Sequence, residues 1–250
     1  MQQLTDKQLL RYDRQITLKG FDIDKQERLQ NQSALIIGVG GLGCSASLFL
    51  ASAGIGSLTL VDFDKVSESN LSRQILYTEQ SLKHKKVLAA KQRLTQHNPD
   101  MLINTIDQRL DDKSLTAQIK QHTIVIDCSD NIQTREQINR CCYQVKKPLI
   151  SGAAIRMEGL LSVFTYQDDA PCYHCLSMLF GQEQLTCVEA GVMSPLVGMM
   201  GSLQAIEAIK VLTSYGKPLI SRLLMVDVMT MQFNEIGLTK LPNCPVCHAK

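Results

Sequence analysis

Two pairs of cysteines, Cys172-Tyr-His-Cys175 and Cys244-Pro-Val-Cys247, are spaced so that each pair can grip one ion. Together they complete a tetrahedral four-cysteine zinc site with no position left for water, which makes such a site structural rather than catalytic. Redox-active dithiols and coincidence are the competing readings. Reduced thiols in a chain without a secretory signal favour the metal. His174 and His248 adjoin these ligands, but four sulfurs already suffice.

A second concentration of chemistry is Gly38-Val39-Gly40-Gly41-Leu42-Gly43, a GxGxxG between an apolar run and a helical segment. The glycines permit a tight turn and close backbone approach, and the helix that follows offers free N–H groups to a phosphate. Asp62, at the end of the next apolar run, stands where an acid hydrogen-bonds a ribose hydroxyl. An empty glycine turn is the plainer reading, and the motif does not separate NAD from ATP. Ser69-Asn70-Leu71-Ser72-Arg73-Gln74 follows, then Lys83, Lys85 and Lys86. Cations beside phosphates suit cleavage of a triphosphate better than hydride transfer, although spacing alone favours a solvated basic helix face at 83–93. Asp130, in Asp127-Cys128-Ser129-Asp130-Asn131, can hold Mg2+ together with phosphate and water or cap the helix starting near residue 132. Spacing leaves both open. Cys187, in Leu-Thr-Cys-Val-Glu-Ala-Gly, can accept an acyl group or sulfur or be an ordinary cysteine. Cys44, Cys128, Cys141 and Cys142 read as core.

These groups need a scaffold, and the hydrophobic pattern supplies one. Residues 34–37 form a continuous apolar run, as expected of a strand buried on both faces. Further strands are expected at 58–61, 102–106, 124–126 and 149–150, separated by helices near 44–53, 82–97, 112–121 and 133–146. That β-α-β-α rhythm implies a parallel sheet with right-handed crossovers. After Gly152 the pattern changes to longer strands at 159–166 and 223–236, an antiparallel extension. An apolar helix at 193–213 lies between them, and residues 167–192 show no period. Residues 1–30 read as a helical arm lying on a neighbour, and 31–250 as one domain.

Composition narrows the classes. The chain has 250 residues, nine cysteines, 44% hydrophobic residues and a formal charge of +2. That balance is ordinary for a globular protein and gives no sign of a nucleic-acid or membrane surface. The polar start, MQQLTDKQLLRYDRQ, lacks the apolar stretch of a signal peptide, and no uninterrupted apolar window approaches the ~18 residues of a membrane span. A cytoplasmic location is expected.

The ordered set of motifs resembles the MoeB/ThiF/HesA family, bacterial adenylyltransferases related to ubiquitin-activating enzymes. It runs from Leu10-Arg-Tyr-Asp-Arg-Gln15 through GVGGLG, LTLVDFD, SNLSRQ, DCSDN and SGAAIRMEG. It continues through the two CxxC pairs, TCVEAGV and GSLQAIEAIK, so it covers nearly the whole chain. The resemblance implies a Rossmann-like mixed sheet with a parallel nucleotide-binding half, an antiparallel C-terminal extension and a four-cysteine zinc site. It implies a homodimer in which ATP activates the C-terminal Gly-Gly carboxylate of a small β-grasp, ubiquitin-like sulfur carrier, releasing pyrophosphate. Gly38, Gly40, Gly41 and Gly43 would form the phosphate loop, and Asp62 would hold the ribose. Asn70, Arg73 and Lys86 would contact phosphates, with Asp64, Ser69, Leu71, Ser72, Gln74 and Asn131 around the nucleotide. Asp130 would bind Mg2+, and Arg14 would reach the partner's ATP. This settles Asp130 and the basic segment by resemblance, not by spacing.

The resemblance also implies that the arm makes dimer contacts, that the 176–191 crossover loop covers the carrier's tail, and that zinc tethers the C-terminal tail. Cys187 occupies the position of a cysteine used by some members for thioester or acyl-disulfide chemistry. SGAAIRMEG and TCVEAGVM are closer to the molybdopterin branch, which serves molybdenum cofactor synthesis, than to the thiamine branch. In that branch the adenylate is the product, so Cys187 is expected to be dispensable for adenylation. An NAD-dependent dehydrogenase would leave Arg73, Lys86 and both cysteine pairs idle. A non-enzymatic carrier-binding scaffold would leave the ATP residues without a role.

Overall fold

The structure, a computed structural model, describes residues 3–167, 169–180 and 190–248. Five strands run parallel: β1 (Ser33–Ile37), β2 (Ser57–Val61), β3 (Leu102–Ile106), β4 (Ile124–Asp127) and β5 (Leu149–Ile155). Three more add antiparallel: β6 (Glu158–Phe164), β7 (Arg222–Asp227) and β8 (Gln232–Gly237). The sheet order is β3-β2-β1-β4-β5-β6-β7-β8. The order therefore reverses between β1 and β4, and the crevice at the carboxyl ends of these two strands is where such sheets bind ligands. The mixed sheet expected from the sequence is present.

The central strands are mostly apolar because alternate residues feed two different cores. Ala34, Ile36, Leu58, Leu60, Ile124 and Ile126 belong to one. Leu35, Ile37, Val61 and Val125 face the other. The first core is closed by α4 (Gly41–Ala53), α5 (Lys86–His97) and α9 (Ser194–Thr213), the second by α6 (Asp112–Gln121), α7 (Ile132–Val145) and α8 (Tyr173–Ser177). Fully burying a side chain such as Ile36 stabilises the fold by about 1.5–3 kcal/mol. The arm is made of three short helices, α1 (Asp6–Arg11), α2 (Asp13–Ile16) and α3 (Asp22–Gln30). It is tied down by buried Tyr12, whose hydroxyl accepts from Asn98 Nδ2 at 3.1 Å, and by Gln26 Nε2 donating to Ala53 O at 2.8 Å.

Helix α9 is long and apolar enough to cross a membrane. Here Leu196, Val197, Met200, Ala205 and Ala208 are buried in the first core. It approaches α4 so closely that a Cβ on Gly201 would strike the backbone of Leu42 and lie 2.9 Å from Ser45 Cβ.

Several boundaries differ from the sequence reading: β5 continues to Ile155, α4 begins at Gly41, and the stretch read without a period holds α8. The helix expected from residue 82 begins at Lys86. Residues 83–85 instead pair with 65–66, Lys83 N donating to Val66 O and Val66 N to His84 O, both at 2.9 Å, with Lys83 at φ +67°. The strand expected over 223–236 is a hairpin of β7 and β8. Asp227 turns the chain by accepting from Met229 N and from Thr230 Oγ1, each at 2.8 Å, a side-chain turn typical of aspartate.

Candidate functional site

At the switch point the chain leaves β1 at Gly38 with φ +89°, and a Cβ there would lie 2.7 Å from the Cys128 carbonyl oxygen. Only glycine fits this turn. Gly43 is equally constrained, because its Cβ would run into the Gly38 carbonyl oxygen. Val39 is held from both sides: its N–H donates to Asp62 Oδ2 at 2.8 Å and its carbonyl accepts from Tyr77 Oη at 2.8 Å. The other Asp62 oxygen accepts from Asp64 N at 2.9 Å. Asp62 thus clamps the glycine loop to the end of β2 while keeping lone pairs for a ligand hydroxyl.

The cleft above this loop has a volume of about 530 Å³, within the ~300–1,000 Å³ of ligand pockets. Gly38, Gly40, Gly41, Asp62, Asp64, Asn70, Arg73, Gln74, Lys86, Asp130 and Asn131 all line it. Lys86 carries its charge inward with its side chain 8% exposed, paired to Asp64 Oδ2 at 2.9 Å and 4.0 Å from Asp62 Oδ2. Lys85 pairs with Asp107 instead. Arg73 Nη1 donates to Ser69 O at 2.8 Å, and Asn70 Oδ1 accepts from Ser67 N at 3.2 Å, so both are oriented by their own turn.

Gly43, Ser69, Leu71 and Ser72 do not line the cleft but support those that do. Leu71 packs on the first core, and the Ser72 carbonyl accepts from Ser194 Oγ at 2.5 Å, joining this turn to α9. Asp130 is exposed, and the helix cap offered as its alternative role is filled by Asn131, whose Oδ1 accepts from Thr134 N at 2.9 Å. One oxygen of Asp130 accepts from Asn131 Nδ2 at 3.2 Å, leaving most of its lone pairs free. Arg14 is not brought to the cleft of its own chain; its side chain is 96% exposed, with Asp13 at 3.7 Å. Cys187 and most of the 176–191 crossover loop lie outside the described residues.

The sequence reading missed part of the wall. Arg109 stacks over the Phe63 ring at 4.4 Å, and Leu110, Leu115 and Ile138 add an apolar side. Arg135 also lines the cleft, donating from Nη2 to Ser129 O at 2.9 Å. The available signal was position: Phe63 and Arg109 closely follow β2 and β3, on the carboxyl edge of the sheet. Beneath them Asp127 is fully buried; burial pushes its carboxyl up, opposed by Arg135 and by hydrogen bonds from Ser129. Cys44, Cys128, Cys141 and Cys142 are buried, as expected, and burial pushes the Cys44 thiol up to about 12.

The second site joins α8 to the C-terminal turns. The sulfurs of Cys172, Cys175, Cys244 and Cys247 all lie within 4.8 Å of one another, and all four residues are buried. The separations are 4.0 Å for Cys172–Cys175, 3.6 Å for Cys172–Cys244 and 3.5 Å for Cys175–Cys247. A zinc–sulfur bond near 2.3 Å in a tetrahedron requires sulfurs about 3.8 Å apart, so the cluster fits that ion closely. The hydrogen bond from Cys172 draws the Cys175 thiol well below its ordinary range. His174 takes no part, its Nδ1 meeting Glu136 Oε1 at 3.0 Å.

Comparisons with known proteins agree with this geometry. Residues 12–246 match the ThiF family. The chain is 55% identical over 247 residues to the molybdopterin-synthase adenylyltransferase of Escherichia coli (strain K12), covering 99% of each chain. It is 41% identical to the sulfur carrier protein ThiS adenylyltransferase of the same organism, covering 98% of this chain and 97% of that one. Among solved structures, E. coli MccB with MccA-N7isoASN aligns with a TM-score of 0.85 over 96% of this chain and 75% of that chain. At 20% identity that likeness concerns the fold.

Proposed function

The chain belongs to the ThiF family, and from that premise we propose that it uses ATP to adenylylate the C-terminal glycine carboxylate of a small ubiquitin-like sulfur carrier. The carrier is the small subunit of molybdopterin synthase, and the pathway molybdenum cofactor synthesis. The observation that carries this reading is the convergence of the glycine loop, Asp62, Asn70, Arg73, Lys86 and Asp130 on one cleft. A dehydrogenase has no use for the buried cation of Lys86 or for the exposed carboxylate of Asp130. The thiamine-branch alternative shares the chemistry, but its representative is less similar, 41% against 55% identical.

In the proposed reaction a carboxylate oxygen of the carrier bonds to the α-phosphorus as the bond from that phosphorus to pyrophosphate breaks. The first turn of α4 presents N–H groups to phosphate. Asp62 accepts from a ribose hydroxyl with the lone pairs its two backbone partners leave free. Lys86 and Arg73 face the charge that builds on the leaving pyrophosphate, and preorganised cations of this kind stabilise such a transition state by several kcal/mol. Asp130 would hold Mg2+, which supplies charge neutralisation for the phosphates when bound. The four cysteines would hold a structural zinc ion that fastens the C-terminal tail to α8. The protein would act as a homodimer, its 1–30 arm in the contact. The exposure of Arg14 suits a residue that completes the other protomer's site, where an arginine supplied in trans is worth roughly 10³–10⁵ in rate. The 176–191 crossover loop would cover the carrier's tail.

The test is ATP–pyrophosphate exchange by the purified protein, with the molybdopterin-branch and thiamine-branch carriers offered separately. Exchange only with the first is expected. Exchange only with the second would move the protein to the thiamine branch, and exchange with neither would remove the adenylyltransferase reading.

A further inference from the structure

Four thiolates around one divalent zinc leave the site negatively charged, and this site is buried against the second core. Such a charge needs N–H donors on its sulfurs, because isolated buried charge is expensive. Two sulfurs find theirs on the backbone: Leu241 N donates to Cys175 at 3.4 Å and Cys247 N to Cys244 at 3.5 Å. Cys172 has a side-chain donor as well as the backbone of Cys175: Asn139 Nδ2 lies 3.6 Å from its sulfur.

Asn139 is fully buried in α7, and its amide is held in a single orientation. Its Oδ1 accepts from Tyr173 N at 3.0 Å and from Tyr166 Oη at 3.3 Å, which turns the Nδ2 end towards the sulfur. It does not act alone. Glu136, Asn139 and Tyr143 are spaced i, i+3, i+7 and therefore share one face of α7. Glu136 Oε1 accepts from Ser177 Oγ at 2.7 Å and meets His174 Nδ1 at 3.0 Å, while Tyr143 Oη donates to Cys247 O at 3.3 Å. Three successive side chains of one helix thus engage both halves of the cysteine cluster.

We propose that Asn139 is a positioning residue for the metal: its N–H···S hydrogen bond orients Cys172 and offsets the charge of its thiolate, raising the affinity of the site for zinc. This rests on the zinc reading above. Asn139→Asp is nearly isosteric and keeps the oxygen that receives Tyr166 and Tyr173, but it replaces the donor with a carboxyl oxygen that brings charge to the sulfur, so Asn139→Ser, neutral and too short to reach the sulfur, is measured beside it. Tyr166→Phe removes a partner of Asn139 and leaves the donor in place.

Zinc affinity of the full-length holoprotein is measured by competition with a chromophoric chelator, and the sulfur-to-metal charge-transfer band is recorded after cobalt substitution. Asn139→Asp is expected to weaken zinc roughly 10–100-fold and to shift the cobalt band, while Tyr166→Phe stays near the unmodified protein. Equal weakening by both variants, or an unmoved cobalt band in Asn139→Asp, would overturn the proposal. Asn139→Ser is judged by the same two readouts, and unchanged zinc affinity in that variant would assign the effect of Asn139→Asp to its added charge and overturn the proposal. An unmodified protein that binds no zinc would overturn the metal reading itself, a result distinct from zinc-loaded protein indifferent to Asn139.

Discussion

Gly41 opens α4 and lines the cleft, and its φ lies outside the left-handed region, so alanine is allowed there by backbone geometry. What forbids it is Val197 of α9: an added Cβ would lie 2.7 Å from Val197 Cγ2 and 2.9 Å from Val197 Cβ. Overpacking of this kind costs about 1–3 kcal/mol. The strain has two outlets. If the pair of helices absorbs it, Gly41→Ala lowers the melting temperature by roughly 2–4 °C per kcal/mol in a chain of this size. If the first turn of α4 moves instead, its N–H groups leave the phosphate and ATP binding weakens about 5- to 150-fold. Val197→Ala removes the nearer contact, at a cost of about 1.6 kcal/mol for its two methyl groups, but leaves the Cβ in place. Gly41→Ala combined with Val197→Ala is therefore expected to be more stable, and to bind ATP better, than the sum of the single variants allows. Melting curves and nucleotide titration of the four proteins form a double-mutant cycle. A coupling below about 0.5 kcal/mol, with ATP binding still lost in Gly41→Ala, would refute the clearance argument. Gly41 would then serve the ligand directly.

Three further outcomes are expected. Arg14→Ala and Lys86→Ala should each be inactive in pyrophosphate exchange, yet mixing them should restore about a quarter of the normal rate, because half of randomly assembled dimers carry one intact site; no recovery would exclude action in trans. Stripping zinc should lower the melting temperature by at least about 10 °C, given structural-zinc binding on the order of 10 kcal/mol, and unchanged melting would remove the structural role. His122 is buried with Nδ1 2.7 Å from Gln118 O and Nε2 2.7 Å from Thr59 Oγ1, and burial holds it below its ordinary 6.5. Because the unfolded chain takes up that proton more readily, the stability it contributes is complete above pH 6.5 and is lost as the pH falls through the folded value; His122→Gln should flatten the melting-temperature profile over that acidic range, and an identical slope would exclude His122 as its source.

The parts of the site that could be read from the sequence are those whose residue types are dictated locally. Gly38 is needed for its φ, Asp62 for the strand-end clamp, and the cysteine pairs for their reach, so motif spacing locates all of them. Arg135 and the Arg109–Phe63 stack escaped because they become wall residues only when three strand ends are brought side by side. The start of α5 escaped for a similar reason. Residues 83–85 have a helical pattern but are claimed by pairing with Lys65 and Val66, and tertiary contacts override local propensity. The hairpin in 223–236 turned on one side chain, Asp227, hidden inside a run that otherwise reads as continuous strand.

Helix α7 runs from the cleft to the cysteine cluster, so a metal held by that cluster would bear on a reaction at some distance. Its N-terminal end carries Asn131, Thr134 and Arg135 into the cleft above the glycine loop, and Asn139, about 12 Å beyond Asn131 at 1.5 Å per residue, donates to Cys172 of the cysteine cluster. A helix of this length behaves as a rod, so fixing Asn139 and Glu136 against the cysteine cluster also fixes the height of the cleft wall. Loosening the cluster would release α8 and the C-terminal turns together, and with them their hold on α7. The expected signature is weakened ATP binding in zinc-stripped protein that still folds. By linkage, saturating ATP must then raise the affinity for zinc by the same factor. A zinc affinity indifferent to saturating ATP would mean that α7 carries the two sites without connecting them.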